Sequence, residues 1–228
     1  MEGGGISTSG IQLSNIGDYE DTDDIYTIGS ASLFSVFLSI VAARIGNIGG
    51  ISLNTYFNSF GLEGVLSNVM LVIIILQIAR WAYSTFYNKF GKPWSPIVFI
   101  AIVVSIQLIH DVLFYYGVIN LLPSGKNEMI DALKQYAKEN KGAAIGGHSV
   151  FIILVSLIAM ILKDTSPIVR LIIPAITLYM LPYILSIVAK TSTVATSVAS
   201  TATSAVKTAA SSVAPKKESF HDARRSFY

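Results

Sequence analysis

Apolar residues dominate the chain in long runs that short polar segments separate. Four runs reach or approach the roughly 20 residues that a helix needs to cross a bilayer. They cover about residues 65–88, 96–121, 146–163 and 167–189. A fifth run, residues 28–45, is Ser-rich and marginal in length, so a re-entrant or interfacial segment is an alternative to a span. The pattern predicts an all-α integral membrane protein with a bundle of four to five transmembrane helices in residues 28–190.

One polar segment, residues 126–141, has the period of a helix with a water-facing side. Met129, Leu133 and Tyr136 recur at helical spacing and form one apolar stripe among lysines and acids. This short amphipathic helix either lies on the membrane surface or on a partner protein, with the stripe as its docking face, or it connects two spans while packed on its own bundle.

The sequence predicts a tail at each end of the chain. Residues 1–27 combine Gly and Ser with acidic residues, which predicts a flexible, solvated segment. Residues 191–228 are rich in Ser, Thr and Ala, and residues 191–214 fit either a weakly amphipathic helix or a flexible linker. The basic C-terminus, "KKESFHDARRSFY", offers charge and aromatic anchors for an acidic partner, anionic lipid or nucleic acid. Its candidate docking residues are Phe220, Arg224, Arg225, Phe227 and Tyr228.

Composition supports the membrane assignment. The chain is 52% hydrophobic and only 13% charged, whereas a soluble domain carries about 25% charged residues. It has 0 cysteines, which excludes disulfides and thiolate chemistry. The first 27 residues contain acids but neither Lys nor Arg, so a secretory signal peptide is not expected.

The distribution of Lys and Arg predicts an orientation. If all five runs span, Arg44, the lysines of residues 126–141 and the basic tail share one side of the membrane. The acidic N-terminus shares the other side with a smaller basic set, Lys89, Lys92, Lys163 and Arg170. The positive-inside rule then places the C-terminus in the cytoplasm and the N-terminus across the membrane.

Two polar residues in neighbouring spans are expected to meet. Gln77 and Gln107 lie at a similar depth when counted along their helices at 1.5 Å per residue, which predicts an amide hydrogen bond between the spans. Arg80 lies one turn nearer the interface than Gln77, so its side chain is expected to snorkel toward the headgroups.

Asp111 is the most unusual residue of the apolar runs. A carboxylate inside a span is costly unless it is paired, and its reachable partners are Arg44, His148 and the adjacent His110. A transporter or proton relay would use such a set, but the other spans contribute few polar groups, which favours a structural pair. The predicted intramembrane polar network comprises Gln77, Gln107, His110, Asp111 and His148.

Sequence motifs of enzymes are missing. The chain has no HExxH, no GxSxG and no Gly-rich phosphate loop, and its 3 histidines are scattered. No catalytic residue, metal or cofactor is therefore predicted. Gly142 and Gly146, four residues apart, are interpreted as a close contact between helices.

The segment from Gln107 to Ser149 resembles a family of uncharacterised multi-span membrane proteins of large icosahedral DNA viruses, the nucleocytoplasmic group. In that family an intramembrane "HD" precedes "P-x-G-x-N-x-x-I-D", a short helix with "YA-x-E", and Gly and Ala before the next span. The matching residues are His110, Asp111, Pro123, Gly125, Asn127, Ile130, Asp131, Tyr136, Ala137, Glu139, Gly142 and Ala143. The family tends to have an acid where this chain has His148.

The resemblance implies a virion component. Such a protein belongs to the lipid membrane beneath the capsid shell, formed from host endoplasmic-reticulum membrane, and acts as a minor capsid or inner-membrane protein. Its expected partners are the bilayer and other capsid or membrane proteins, while its oligomeric state stays open. The alternative function is a small transporter or channel with a His/Asp intramembrane site.

Overall fold

Six α-helices make up most of residues 13–187, the part of the chain that the computed structural model describes. They are α1 (Asp24–Gly46), α2 (Gly50–Phe86), α3 (Pro96–Phe114), α4 (Glu128–Asn140), α5 (Gly142–Lys163) and α6 (Pro167–Leu185). A turn of π-helix, Tyr115–Ile119, extends α3. Within residues 13–187 the structure has no strand.

Every helix except α4 is long and apolar enough to cross a membrane, which makes 5 candidate spans among the described residues. The predicted class, an all-α multi-span membrane protein with one short amphipathic helix, is confirmed. The marginal run at residues 28–45 lies in α1, which begins four residues earlier, at Asp24, and is 23 residues long. At about 1.5 Å per residue that length exceeds the roughly 30 Å hydrocarbon core.

Local sequence explains several helix starts. The side chains of Ser95, Asn127 and Ser166 each accept a hydrogen bond from a backbone N–H of the first turn that follows. Pro96 and Pro167 occupy first helical positions, where the missing N–H costs nothing. Capping of this kind fixes where α3, α4 and α6 begin.

The segment before the second apolar run is rich in Gly, Asn and aromatic residues, a composition that predicts an interfacial loop, but the structure has a helix there. Residues 50–60 form the first part of α2, and Gly61 (φ 46°, ψ −121°) kinks the helix. Only glycine adopts such a backbone conformation at low cost. Burial explains why residues 50–60 form a helix and not an interfacial loop. Tyr56 and Phe57 pack with Val36 and Ile40 of α1 inside the protein, and do not lie half in lipid.

The five long helices alternate in direction, so their ends gather at two faces. The Asp24 end of the bundle carries residues 13–24, 87–95 and 163–167, and the Arg44 end carries residues 44–61 and 119–142. α1 packs against α2, α5 and α6, whereas α3 packs against α2 and α5. α4 lies at the Arg44 end, mainly against α2.

Two apolar clusters hold the helices together. The larger one joins α1, α2, α3 and α5 through tightly buried side chains such as Ile28, Leu76, Phe99, Val155 and Met160. The smaller one lies toward the Arg44 end and joins α1, α2 and α6. Since lipid is as apolar as leucine, close packing and interhelical polar contacts, more than the hydrophobic effect, determine how such helices associate.

Candidate functional site

The structure gathers three of the predicted polar residues around the carboxylate of a fourth, Asp111. Gln107 Nε2 donates a hydrogen bond to Asp111 Oδ1 at 2.6 Å, and His110 Nδ1 lies 3.3 Å from the same oxygen. His148 of α5 places its Nδ1 3.1 Å from Asp111 Oδ2. We call these residues, Gln107, His110, Asp111 and His148, the Asp111 cluster.

Burial within the Asp111 cluster is graded. The side chain of Asp111 is 14% exposed, that of His110 31% and that of His148 47%. Each imidazole also lies nearly parallel to an aromatic ring: His110 stacks on Phe114 at 5.6 Å, and His148 stacks on Tyr136 of α4 at 6.2 Å. The carboxylate is thus shielded, while one of its imidazoles stays open to the surroundings.

Gln77 does not join this cluster, and the amide hydrogen bond expected between Gln77 and Gln107 is not formed. Gln77 Oε1 accepts a hydrogen bond from Arg80 Nη1 at 2.8 Å on its own helix. Gln107 is likewise used within its own helix, by Asp111. Charged partners one turn away offer stronger hydrogen bonds than a second neutral amide does.

A second polar site lies at the Asp24 end, where residues 13–23, which we call the strap, cover the bundle. Ile16 is fully buried, and Trp94 Nε1 donates a hydrogen bond to the Leu13 carbonyl at 2.9 Å. Gly17 lies so close to Tyr83 and Trp94 that an added Cβ would meet both rings at 2.8 Å. This part of the predicted flexible tail is therefore packed, because buried polar and apolar groups bind it.

Charged side chains from three helices and the strap meet beneath that segment. Lys163 Nζ lies 2.9 Å from Asp21 Oδ2 and 2.8 Å from Asp24 Oδ1, and Arg80 Nη2 lies 3.3 Å from Asp24 Oδ2. We call Asp21, Asp24, Arg80 and Lys163 the Asp24 cluster. Its formal charges cancel, and the hydrogen bond from Lys163 holds the pKa of the Asp21 carboxyl below its usual range.

Arg80 does not snorkel as the sequence suggested, because its side chain is 1% exposed. Its Nε donates to the carbonyl of Ile16 at 2.9 Å, and its Nη2 donates to the carbonyls of Asp18 and Asp21. The planar guanidinium presents several donors at once, which allows it to satisfy strap carbonyls and a carboxylate together. Arg80 is therefore one of the residues that join the strap to the membrane bundle, beside Trp94 and Lys163.

Arg44, one of the three partners considered for Asp111, has another role. Its Nη1 lies 3.4 Å from the backbone and side-chain oxygens of Asn54, and its Nη2 lies 3.4 Å from the Leu185 carbonyl. Arg44 is in the last turn of α1, and Leu185 is the last residue of α6. A cation at two helix C-termini is favoured by the partial negative charge of their carbonyl groups.

The apolar stripe of α4 packs on the protein itself. Met129 and Leu133 are half-buried against the smaller apolar cluster, and burial raises the pKa of the Tyr136 hydroxyl. Glu139 accepts hydrogen bonds from the N–H groups of Ile51 and Ser52 at 3.1 and 2.8 Å. Of the two arrangements that the sequence allowed, the structure has the connecting helix packed on its own bundle, and the docking role of these three half-buried residues stays a prediction.

Two further predictions concern surfaces outside these clusters. A Cβ added to Gly142 or Gly146 would meet no heavy atom within 4 Å, so the close helix contact expected there is not made within the described chain. Phe220, Arg224, Arg225, Phe227 and Tyr228 lie outside the described residues, and their docking role stays a prediction.

Comparison of the chain with family models, curated proteins and solved structures returned no match.

Sequence reasoning missed the Asp24 cluster and the anchoring role of Glu139. A signal for the first was present: the apolar run at residues 65–88 contains Arg80 but no acid, and five acids precede or begin α1 in residues 18–24. A buried cation requires a counter-charge, and this acidic segment is the nearest source of one at the same membrane face.

Chemically, the Asp24 cluster is suited to structural pairing. The Asp111 cluster combines one carboxylate with two imidazoles, and among residues 13–187 no group of three or more His, Cys, Asp or Glu side chains is arranged to hold a metal ion.

Proposed function

We propose that the protein is a structural, non-enzymatic membrane protein that anchors or docks a protein lattice to a bilayer. The setting that its resemblance implies is the internal membrane of a large icosahedral DNA virus, formed from host endoplasmic-reticulum membrane. The protein itself is a multi-span helical membrane protein with five long apolar helices in its described part.

One observation carries the anchoring role: charged groups at the Asp24 end are used to fix helices to one another. Asp24 of α1 contacts both Arg80 of α2 and Lys163 of α5, and the strap is bound to the same groups. Ion pairs that are this well buried favour one arrangement of helices. A fixed bundle suits an anchor that must hold external segments in place.

We assign the docking role to segments outside the bundle, because the apolar stripe of α4 packs against the other helices of the protein. The basic C-terminus, with Arg224, Arg225 and its aromatic residues, is the proposed contact with neighbouring capsid or membrane proteins. Aromatic and arginine side chains dominate the energy of protein interfaces.

A truncation tests this proposal. Deleting residues 191–228 leaves the five candidate spans of the described part in place, so membrane insertion should persist while copurification with the major capsid protein from assembled particles falls several-fold. The double variant Arg224→Glu, Arg225→Glu should show the same loss, and Lys207→Glu in the same tail serves as its control. Normal incorporation of both the truncated chain and the double variant would exclude docking through this tail.

The Asp111 cluster supports a second candidate, a proton-linked transporter or channel. The supporting observation is the 47% exposure of His148 beside a carboxylate that is 14% exposed. Proton or ion flux into vesicles containing the purified protein, measured for wild type and Asp111→Asn, distinguishes the two functions. Flux that Asp111→Asn abolishes would favour transport, whereas equal background leak in both would leave the structural role.

A further inference from the structure

One carboxylate connects three separate elements at the Arg44 end. Asp111 belongs to α3, and His148 reaches it from α5 at 3.1 Å. The ring of Tyr136, on α4, stacks on the His148 imidazole with an interplanar angle of 16°. Any change in charge of His148 therefore acts on the contacts of α3, α4 and α5 together.

With Asp111 ionised, the two short distances to its oxygens assign the protons of both imidazoles. An ionised carboxylate only accepts hydrogen bonds, so the Nδ1 atoms of His110 and His148 must donate to Asp111. In the neutral imidazoles Nδ1 then carries the proton and Nε2 has a free lone pair. With both imidazoles neutral the cluster has one net negative charge, and one added proton cancels it.

His148 is the better placed of the two imidazoles to take up that proton. Its side chain is 47% exposed, compared with 31% for His110. Asp111 is mostly buried, so its attraction for an imidazolium is screened less than at a free surface.

The other charged groups at this end either bind other partners or are exposed to the surroundings. From α4, Glu139 is bound to the α2 backbone, and Lys134 donates to the Leu122 carbonyl and pairs with Asp131. From α2, Glu63 is exposed to the surroundings. The groups that contact Asp111 directly are Gln107 and His110 of its own helix and His148 of α5.

We infer that the Asp111 cluster is an acid-strengthened contact, in which uptake of one proton by His148 converts its hydrogen bond with Asp111 into an ion pair and fastens α5 and α4 to α3. Atoms and charge balance: the proton comes from water and binds to Nε2, while Nδ1–H stays on Asp111. This gives the bundle a response to pH that a purely static anchor does not need, and it does not depend on the proposed docking role.

The direction of the response follows from linkage. Imidazoles change charge between about pH 5 and 8, and the ion pair exists only in the folded protein. Stability should therefore rise as pH falls through this window and be lost again as pH rises. Hydrogen bonds hold the pKa of Asp21 and Glu139 below their usual values, and burial raises the pKa of Tyr136, so these groups keep their charge state between pH 5.5 and 8.

Thermal unfolding of the full-length protein in detergent micelles tests the inference. Wild type should have a higher Tm at pH 5.5 than at pH 8, by on the order of 2 to 4 °C. His148→Gln should lose this difference, and His110→Gln should keep most of it. His221→Gln, which removes the third histidine of the chain, should keep all of it. A difference that survives in His148→Gln, or that disappears in His110→Gln alone, would overturn the assignment.

Nitrogen NMR of the imidazoles gives a second test that needs no variant to be stable. The chain has 3 histidines, so the signals can be assigned with few samples. At pH 8 the neutral ring of His148 should carry its proton on Nδ1, and acidification should add a proton to Nε2. A neutral His148 ring with its proton on Nε2 could not donate to Asp111, and that result would refute the inference.

Discussion

Arg80 of α2 donates a hydrogen bond from Nε to the backbone carbonyl of Ile16 at 2.9 Å, and both side chains are buried. The two residues are 64 positions apart. A carbonyl group that leaves water needs a donor, since an unpaired one costs free energy. The guanidinium supplies that donor while Asp24 balances its charge, so one side chain both orders the strap and joins α1 to α2.

Replacing Arg80 should therefore release the strap. We expect Arg80→Ala to lower the free energy of unfolding by about 3–5 kcal/mol, because it leaves buried Asp24 with one partner fewer. Arg80→Lys should cost less but should not restore wild-type stability, since an ammonium lacks the forked geometry. Denaturant unfolding in micelles measures the stability, and limited proteolysis of residues 13–23 measures the release. Lys89→Ala, at an exposed position of the same end, is the control, and unchanged protease protection in Arg80→Ala would contradict the role of Arg80.

The contact of Asp21 with Lys163 should give the strap a dependence on acid. The hydrogen bond from Lys163 lowers the pKa of Asp21 from its ordinary value of 3.8, so the stabilisation is complete above that value and is lost as pH falls through the folded-state pKa. The Tm difference between wild type and Asp21→Asn should accordingly be constant from pH 7 to 5 and shrink below about pH 4. Glu20→Gln, an exposed neighbour, provides the comparison. A difference that grew toward low pH would show that the sign of the effect is wrong.

The spans follow directly from the apolar runs, because length and hydropathy are local properties. The strap does not, since a Gly-, Ser- and acid-rich segment is typical of solvated tails, and only the fold shows that Arg80 and Lys163 lie within its reach. The helix at residues 50–60 was missed for a similar reason: its aromatic residues are as compatible with headgroups as with a protein interior. The Asp111 cluster could be predicted from the sequence, because His110 is adjacent to Asp111 and His148 lies at the start of the next span, at the same membrane face. The choice between His148 and Arg44 nevertheless required the structure, which uses Arg44 at the helix C-termini.

Glu139 should stabilise the start of α2. Its carboxylate accepts two backbone N–H bonds there, and hydrogen bonding to Ser52 holds its pKa below the usual range. Glu139→Gln should cost about 1 kcal/mol, as for the loss of a helix cap, and should speed hydrogen exchange at the amides of Ile51 and Ser52. The exposed Glu128→Gln controls for a general charge effect. Unchanged exchange at these two amides in Glu139→Gln would argue against the cap.

A substitution in α4 separates internal packing from external docking. Leu133 is half-buried against the smaller apolar cluster, so Leu133→Asp should lower stability by about 1–3 kcal/mol through loss of apolar burial and desolvation of a charge. Gln135→Asp, on the exposed side of the same helix, should change stability little. Thermal unfolding of the two purified variants makes the comparison. Equal stability of both variants would show that the apolar stripe does not stabilise the bundle, and would favour the docking role that the sequence allowed.

The junction between α4 and α5, at the Arg44 end of the bundle, contains a residue with a strained backbone conformation. Lys141 has φ 47° and ψ −131°, nearly the same backbone conformation as Gly61 at the kink of α2, with φ 46° and ψ −121°. A side chain in this region costs about 1–3 kcal/mol, while glycine there costs only the extra entropy of the unfolded chain, about 0.4–1 kcal/mol. Lys141→Gly should therefore raise stability by about 1 kcal/mol, and Gly61→Ala should lower it. Denaturant unfolding measures both variants. A Lys141→Gly protein less stable than wild type would contradict the prediction. It would mean that the charge or contacts of the Lys141 side chain stabilise the junction by more than the backbone strain costs.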